Sequence, residues 1–160
     1  MAIKVTSQSE LDRLPLDTKG IIQIDFGDKN NPARINNTFL SPIVVLGDSY
    51  VLAEANDNHI VAQNRCTVEA YNSTTIDAQN MSTIIAMDSA QVNAMNHSKV
   101  IAKDESVVFG KGNSSIIARD NSAVILSEKS HVELHDTAQI LTDSRNDAME
   151  KVTPEPERGF

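Results

Sequence analysis

From Ile60 to Ile140 a Val or Ile returns every eight residues: Ile60, Val68, Ile76, Ile84, Val92, Val100, Val108, Ile116, Val124, Val132 and Ile140. Two residues after each stands Ala62, Ala70, Ala78, Ala86, Ala94, Ala102 or Ala118, with Gly110, Leu126, Leu134 and Thr142 in the remaining octads. Two residues before each lies a small one, from Cys66, Thr74 and Ser82 through Ala90, Ser98, Ser106, Ser114, Ser122 and Ser130 to Ala138; Asn58 makes the first octad atypical. Three like positions at a spacing of two mark one face of a five-residue strand. Two places after the Ala comes Asn64, Asn72, Asn80, Asp88, Asn96, Asp104, Gly112, Asp120 or Asp136. These are the residue types that best accept the left-handed backbone of a tight corner. Every eight residues, then, the chain makes a short strand and turns.

Such units can form a meander of hairpins or a solenoid. Near-identical octads favour the solenoid, where stacking sets like residue on like residue. Two octads per coil predict an all-β, flat, right-handed parallel β-helix of about 16 residues per coil, with Val, Ile, Ala and Ser filling a narrow core between two sheets. No proline interrupts the chain between Ile43 and Thr153, as continuous ladders require. The eleven octads predict about five and a half coils, roughly 26 Å at the strand spacing of ~4.8 Å. A related segment, Ser49–Ala53, sits one residue out of step, which predicts a bulge or wider turn near Ala55–Asp57. The repeat resembles the parallel β-helix superfamily in general, including bactofilin-like filaments and the small solenoids of phage and bacteria. It departs from the RTX type, whose paired glycines it lacks.

The expected domain organisation is an N-terminal α/β cap over 1–42, the solenoid over 43–142, and a C-terminal helix and partly disordered tail over 143–160. In the cap, Ile3–Thr6 reads as a strand and Ser7–Glu10 as a capping box that opens a short helix ending at Pro15. Ile22, Ile24 and Phe26 alternate up to Gly27, and Phe39 with Leu40 are candidate lids for the first coil.

Composition sharpens this picture. The chain of 160 residues has only six aromatics, no Trp, one cysteine and a formal charge of −8. The charge argues against direct nucleic-acid binding through a basic face, and Cys66 alone excludes a disulfide framework or a cysteine zinc cluster. No apolar run approaches the roughly 20 residues of a membrane-spanning helix, and the first residues lack a signal-peptide pattern. A cytoplasmic, non-membrane protein is expected.

Outward positions carry the functional expectations. With two octads per coil, one face stacks Glu69, Ile85, Ile101, Ile117 and Glu133; the other stacks Asp77, Asn93, Phe109, Ile125 and Leu141, with Val107 and Ala123 alongside. Outward apolar columns mark a partner or self-association surface, and a homodimer is the simplest use of a self-complementary one. The expected interface residues are therefore Ile85, Ile101, Ile117, Val107, Phe109, Ile125 and Leu141. One corner stacks Asp88, Asp104, Asp120 and Asp136, whose repulsion needs compensation; neighbouring Lys103 and Arg119, the turn amides, and calcium are the alternatives. His131, Glu133 and His135 alternate along one strand, the one place with metal-ligand spacing, but no second column completes a shell. No nucleophile elbow or phosphate loop occurs, so no catalytic residue, metal or cofactor is assigned. The expectation is a non-enzymatic protein-binding solenoid. Its size and charge fit a phage or mobile-element inhibitor of a host nucleic-acid-handling complex, as an anti-CRISPR is. The alternative is a structural, self-assembling solenoid such as a bactofilin-like filament or a phage fibre segment.

Overall fold

The structure, a computed structural model, describes residues 2–145. Its elements in chain order are β1 (Ala2–Val5), α1 (Gln8–Asp12), β2 (Ile21–Ile24), β3 (Ala33–Ile35), β4 (Ile43–Val45), β5 (Tyr50–Ala53), β6 (His59–Ala62), β7 (Thr67–Ala70), β8 (Thr75–Ala78), β9 (Thr83–Ala86), β10 (Gln91–Ala94), β11 (Lys99–Ala102), β12 (Val107–Gly110), β13 (Ser115–Ala118), β14 (Ala123–Glu128), β15 (His131–Leu134) and β16 (Gln139–Arg145). They alternate between two sheets. The first runs β1-β2-β4-β6-β8-β10-β12-β14-β16 and the second β15-β13-β11-β9-β7-β5-β3. Pairing is parallel within both, and from β6 to β15 like octad positions face each other in strict register, as Val92 faces Ile76 and Val108. This is the expected β-solenoid with coils of about 16 residues.

Burial follows the columns. The Val/Ile and Ala positions are 0–2% exposed from Ile60 to Leu126, and the small column from Asn58 to Ser130 is equally buried. Ser106, Ser122 and Ser130 donate their hydroxyls to the carbonyl three residues back, at 2.7–2.8 Å. The stacked hydroxyls of Ser82, Ser98 and Ser114 are buried without a partner. Cys66 is a buried free thiol pushed up to about 12 by burial, which leaves it unreactive.

The solenoid extends further toward the N-terminus than the repeat does. Within the stretch expected as a cap, β1 and β2 join the first sheet and β3 the second, giving about nine turns instead of five and a half. Nine strands at ~4.8 Å spacing span about 38 Å. The first coil alone differs, with α1 packed against β1 and β3 where another strand of the second sheet would lie. Ser7 caps the helix by accepting the Glu10 N–H at 3.2 Å, and Leu11 plugs the core at 2% exposure. Of the two expected lids, Phe39 is buried at 5% and Leu40 stands 81% exposed.

The out-of-step segment has a wide turn, as expected, with Asp57 left-handed at φ 61°. Asn58 occupies the small column because this turn needs it: its buried side chain accepts the Phe39 N–H and donates to the Asn37 carbonyl, both at 2.9 Å. At the other end one expectation fails. Asp143–Arg145, expected to open a helix, continue β16, since β14 is itself extended and pairs with them through Glu128 and Arg145. The remainder of that predicted helix and the tail lie outside the described residues.

Candidate functional site

The pleat points the residue between each Val/Ile and Ala outward, and parallel register stacks these residues one coil apart. On the second sheet Leu52, Glu69, Ile85, Ile101, Ile117 and Glu133 follow one another. The three isoleucines are partly exposed. Beside them runs a polar column of Thr67, Thr83, Lys99, Ser115 and His131. On the first sheet, Asp77, Asn93, Phe109 and Ile125 stack as expected. Val107 and Ala123 pair beside Phe109 and Ile125, so the apolar residues form a block two coils deep and two columns wide. Gln91 and Asn93 bound it on one side, Gln139 and Thr142 on the other.

Leu141 does not continue this column. The register shifts after Val124, so Ile125 faces Thr142 and Leu141 becomes the extra residue of a bulge, 57% exposed. It flanks the block from the last described strand.

Toward the N-terminus polar clusters interrupt both outward columns, before Val61 and Val44 on the first sheet and Leu52 on the second. Glu69 accepts the Tyr50 hydroxyl at one carboxylate oxygen and the Tyr71 hydroxyl at the other, the second at 2.8 Å. Arg34 pairs with Glu54 at 3.1 Å nearby. On the first sheet Asp77 is held by His59 at 2.9 Å and by the Asn93 amide at 2.7 Å. Neither cluster was legible as a site. Tyr50 and Glu69 stand 19 residues apart across a lengthened coil, and His59 and Asp77 occupy different columns.

The phenols give a pH signature. Tyr50 is raised to about 12 chiefly by its hydrogen bond to Glu69, and Tyr71 to about 12 chiefly by burial. An unfolded chain releases these protons near pH 10. The folded chain holds them longer, so the stabilisation is complete below pH 10 and is lost as pH rises toward 12. Melting temperatures should therefore fall more steeply between pH 10 and 12 in the wild type than in the Tyr50→Phe/Tyr71→Phe double variant. Parallel pH profiles would refute the coupling.

The Asp corner is compensated by the backbone. Asp88, Asp104, Asp120 and Asp136 are left-handed, at φ 55–56°. Each accepts, through Oδ2, the N–H of the corner residue one coil earlier: Asn72, Asp88, Asp104 and Asp120, at 2.9–3.1 Å. The opposite corner does the same, mostly with neutral groups: Asn64, Asn80 and Asn96 accept from Gly47, Asn64 and Asn80, and the Glu128 carboxylate accepts the Gly112 N–H at 2.7 Å. Among the described residues no ion pair joins Lys103 or Arg119 to the Asp row. None of the described His, Cys, Asp and Glu side chains gather in a group of three arranged to hold a metal ion. His131 and Glu133 are exposed, and His135 pairs with Glu133 at 3.1 Å.

No family model, curated protein or solved structure matches the chain. Among the described residues no helix is long and apolar enough to cross a membrane.

Proposed function

We propose that this chain is a non-enzymatic protein-binding solenoid that docks a protein partner through its sheet faces. The observation that carries the reading is the in-register outward block of Val107, Phe109, Ala123 and Ile125, with the Ile85–Ile101–Ile117 stripe on the opposite sheet. Apolar residues that face away from the core gain only cross-strand packing within the solenoid. A flat apolar block that includes one aromatic and has a polar rim has the make-up of an interface hot spot. The rigid ladder beneath holds the block flat, so little ordering entropy opposes docking. The negative charge favours a basic partner, which fits inhibition of a nucleic-acid-handling complex by charge complementarity.

The filament alternative is less favoured, because α1 and the Gln8 side chain cover the second sheet's edge at the N-terminal end. The test is affinity capture from the native host with wild type, Phe109→Asp and Ile101→Asp in parallel, followed by reconstitution with the purified partner. A stoichiometric complex is expected whose affinity drops at least ~30-fold in one of the two variants, the loss of a single hot spot. A partner retained equally by both would end the reading, as would filaments in electron micrographs.

A further inference from the structure

A solenoid exposes the edges of both sheets at each end, and at the N-terminal end these belong to β1 and β3. The edge of β3 is closed. The Gln8 amide donates to the Arg34 carbonyl at 2.9 Å and accepts the Arg34 N–H at 2.8 Å, occupying the groups another strand would use. The edge of β1 is closed only beyond its last residue, where Glu10 accepts the Thr6 N–H at 2.7 Å. In β2, Ile22 donates to Pro42 and Ile24 accepts from Leu46, both toward β4, whereas the Asp25 N–H reaches back to the Val5 carbonyl. The alternation of a parallel ladder then directs Ile3 and Val5 toward β2 and leaves the N–H and C=O of Ala2 and Lys4 facing outward. Both residues are exposed, and no described strand lies beyond β1.

We propose that this edge pairs with the same edge of a second copy of the chain, antiparallel about a two-fold axis at Ile3. The chemistry selects both the occupant and the register. Centred on Ile3, Ala2 of each copy faces Lys4 of the other, and each such pair exchanges two backbone hydrogen bonds. The two Ile3 side chains, half-buried at the end of the core, then meet across the closely spaced pair between them. Centring on Lys4 instead would set the two ammonium groups side by side, each 3.3 Å from its own Asp25 carboxylate, and would give up the isoleucine pair, which disfavours that register. Charge points to the same end. Residues 1–26 carry Lys4, Arg13 and Lys19 against Glu10, Asp12, Asp17 and Asp25, a net of −1 within a chain of −8. Two copies therefore meet with less repulsion at this end than at the C-terminal one, where residues 127–160 sum to −4. Because Gln8 closes the second sheet, the contact makes a head-to-head pair joined through the first sheet alone. Four hydrogen bonds and one isoleucine pair form a small interface, with a dissociation constant on the order of 10⁻⁵ to 10⁻³ M.

Sedimentation velocity from about 10 μM to 1 mM spans that range. A concentration-dependent dimer is expected. Lys4→Pro removes an outward donor without touching the ladder to β2 and should leave a monomer with unchanged circular dichroism. Ala2 is exposed, so a charge there leaves the fold intact. Ala2→Lys faces Lys4 of the other copy and should weaken the dimer several-fold, whereas Ala2→Glu should tighten it. Simple net-charge repulsion in a −8 chain gives the opposite order. Strictly monomeric wild type up to 1 mM overturns the proposal, as do reversed or equal responses of the two Ala2 variants. A dimer dissociated by Ile101→Asp and untouched at Ala2 does so too, while leaving the sheet-face reading in place.

Discussion

Gly27→Ala is expected to cost at least ~3 kcal/mol and to leave much of the chain unfolded, since domains of this size have only about 5–15 kcal/mol of stability. Gly27 follows β2 and sits at φ +102°, where an L side chain is strained whatever the space around it. Space is also lacking. A Cβ there would lie 2.6 Å from both the Ala33 nitrogen and the Tyr50 carbonyl oxygen. Both are backbone atoms held in the β3–β5 ladder, so neither can swing aside. The Gly27 carbonyl accepts the Tyr50 N–H at 3.1 Å, so the strain falls on a bond that joins consecutive coils. Gly110→Ala provides the contrast. Its added Cβ would come within 2.7 Å of Ile116 Cδ1, the movable tip of a side chain, and a cost nearer ~1 kcal/mol is expected. Urea denaturation followed by circular dichroism ranks the two, and equal midpoints would show that the Gly27 corner yields as readily as a side chain.

The same corner explains how much of the fold could be read in advance. From Ile60 onward successive core residues on a sheet are 16 apart, so periodicity exposes both strands and register. Toward the N-terminus the spacing is 17 from Ile43 to Ile60 and 21 from Ile22 to Ile43. The inward column continues unbroken through these coils while loops of variable length absorb the added residues. A search at period eight therefore loses three coils that the core retains. The bulge at Leu141 escaped for a related reason: a single extra residue leaves the composition of the octad unchanged and moves a side chain out of its column. The outward apolar columns were legible because pleat and register fix which residues point outward. The identity of the proposed partner was not, since a partner's shape leaves no trace in the spacing of this chain.

Replacing Asp88, Asp104, Asp120 and Asp136 together by Ala is expected to remove about 4 kcal/mol or more, whereas replacing all four by Asn should leave stability within ~2 kcal/mol of wild type. The Ala set deletes four acceptors from the amides of Asn72, Asp88, Asp104 and Asp120, each bond contributing ~1 kcal/mol. It also places four alanines at φ 55–56°, a conformation that costs them about 1 kcal/mol apiece. Relief of carboxylate repulsion offsets part of this, at most ~1 kcal/mol per neighbouring pair in water at low salt. The Asn set keeps the acceptors and gains the same relief, while giving up the extra strength of charge-assisted bonds. Salt separates the contributions. Added NaCl screens the row and should stabilise the wild type, with a much weaker response in the Asn set. Equal salt responses, or an Ala set as stable as the Asn set, would remove the ladder from the account of this corner. Asn64, Asn80 and Asn96 already make three such bonds at the opposite corner without charge. These turns thus do not require an anion, and Gly112, with no side chain, makes the same left-handed corner at φ 60°. If the sheet faces dock a basic partner as proposed, the Asn set, folded but four negative charges poorer along this edge, is the variant in which that partner should associate more slowly.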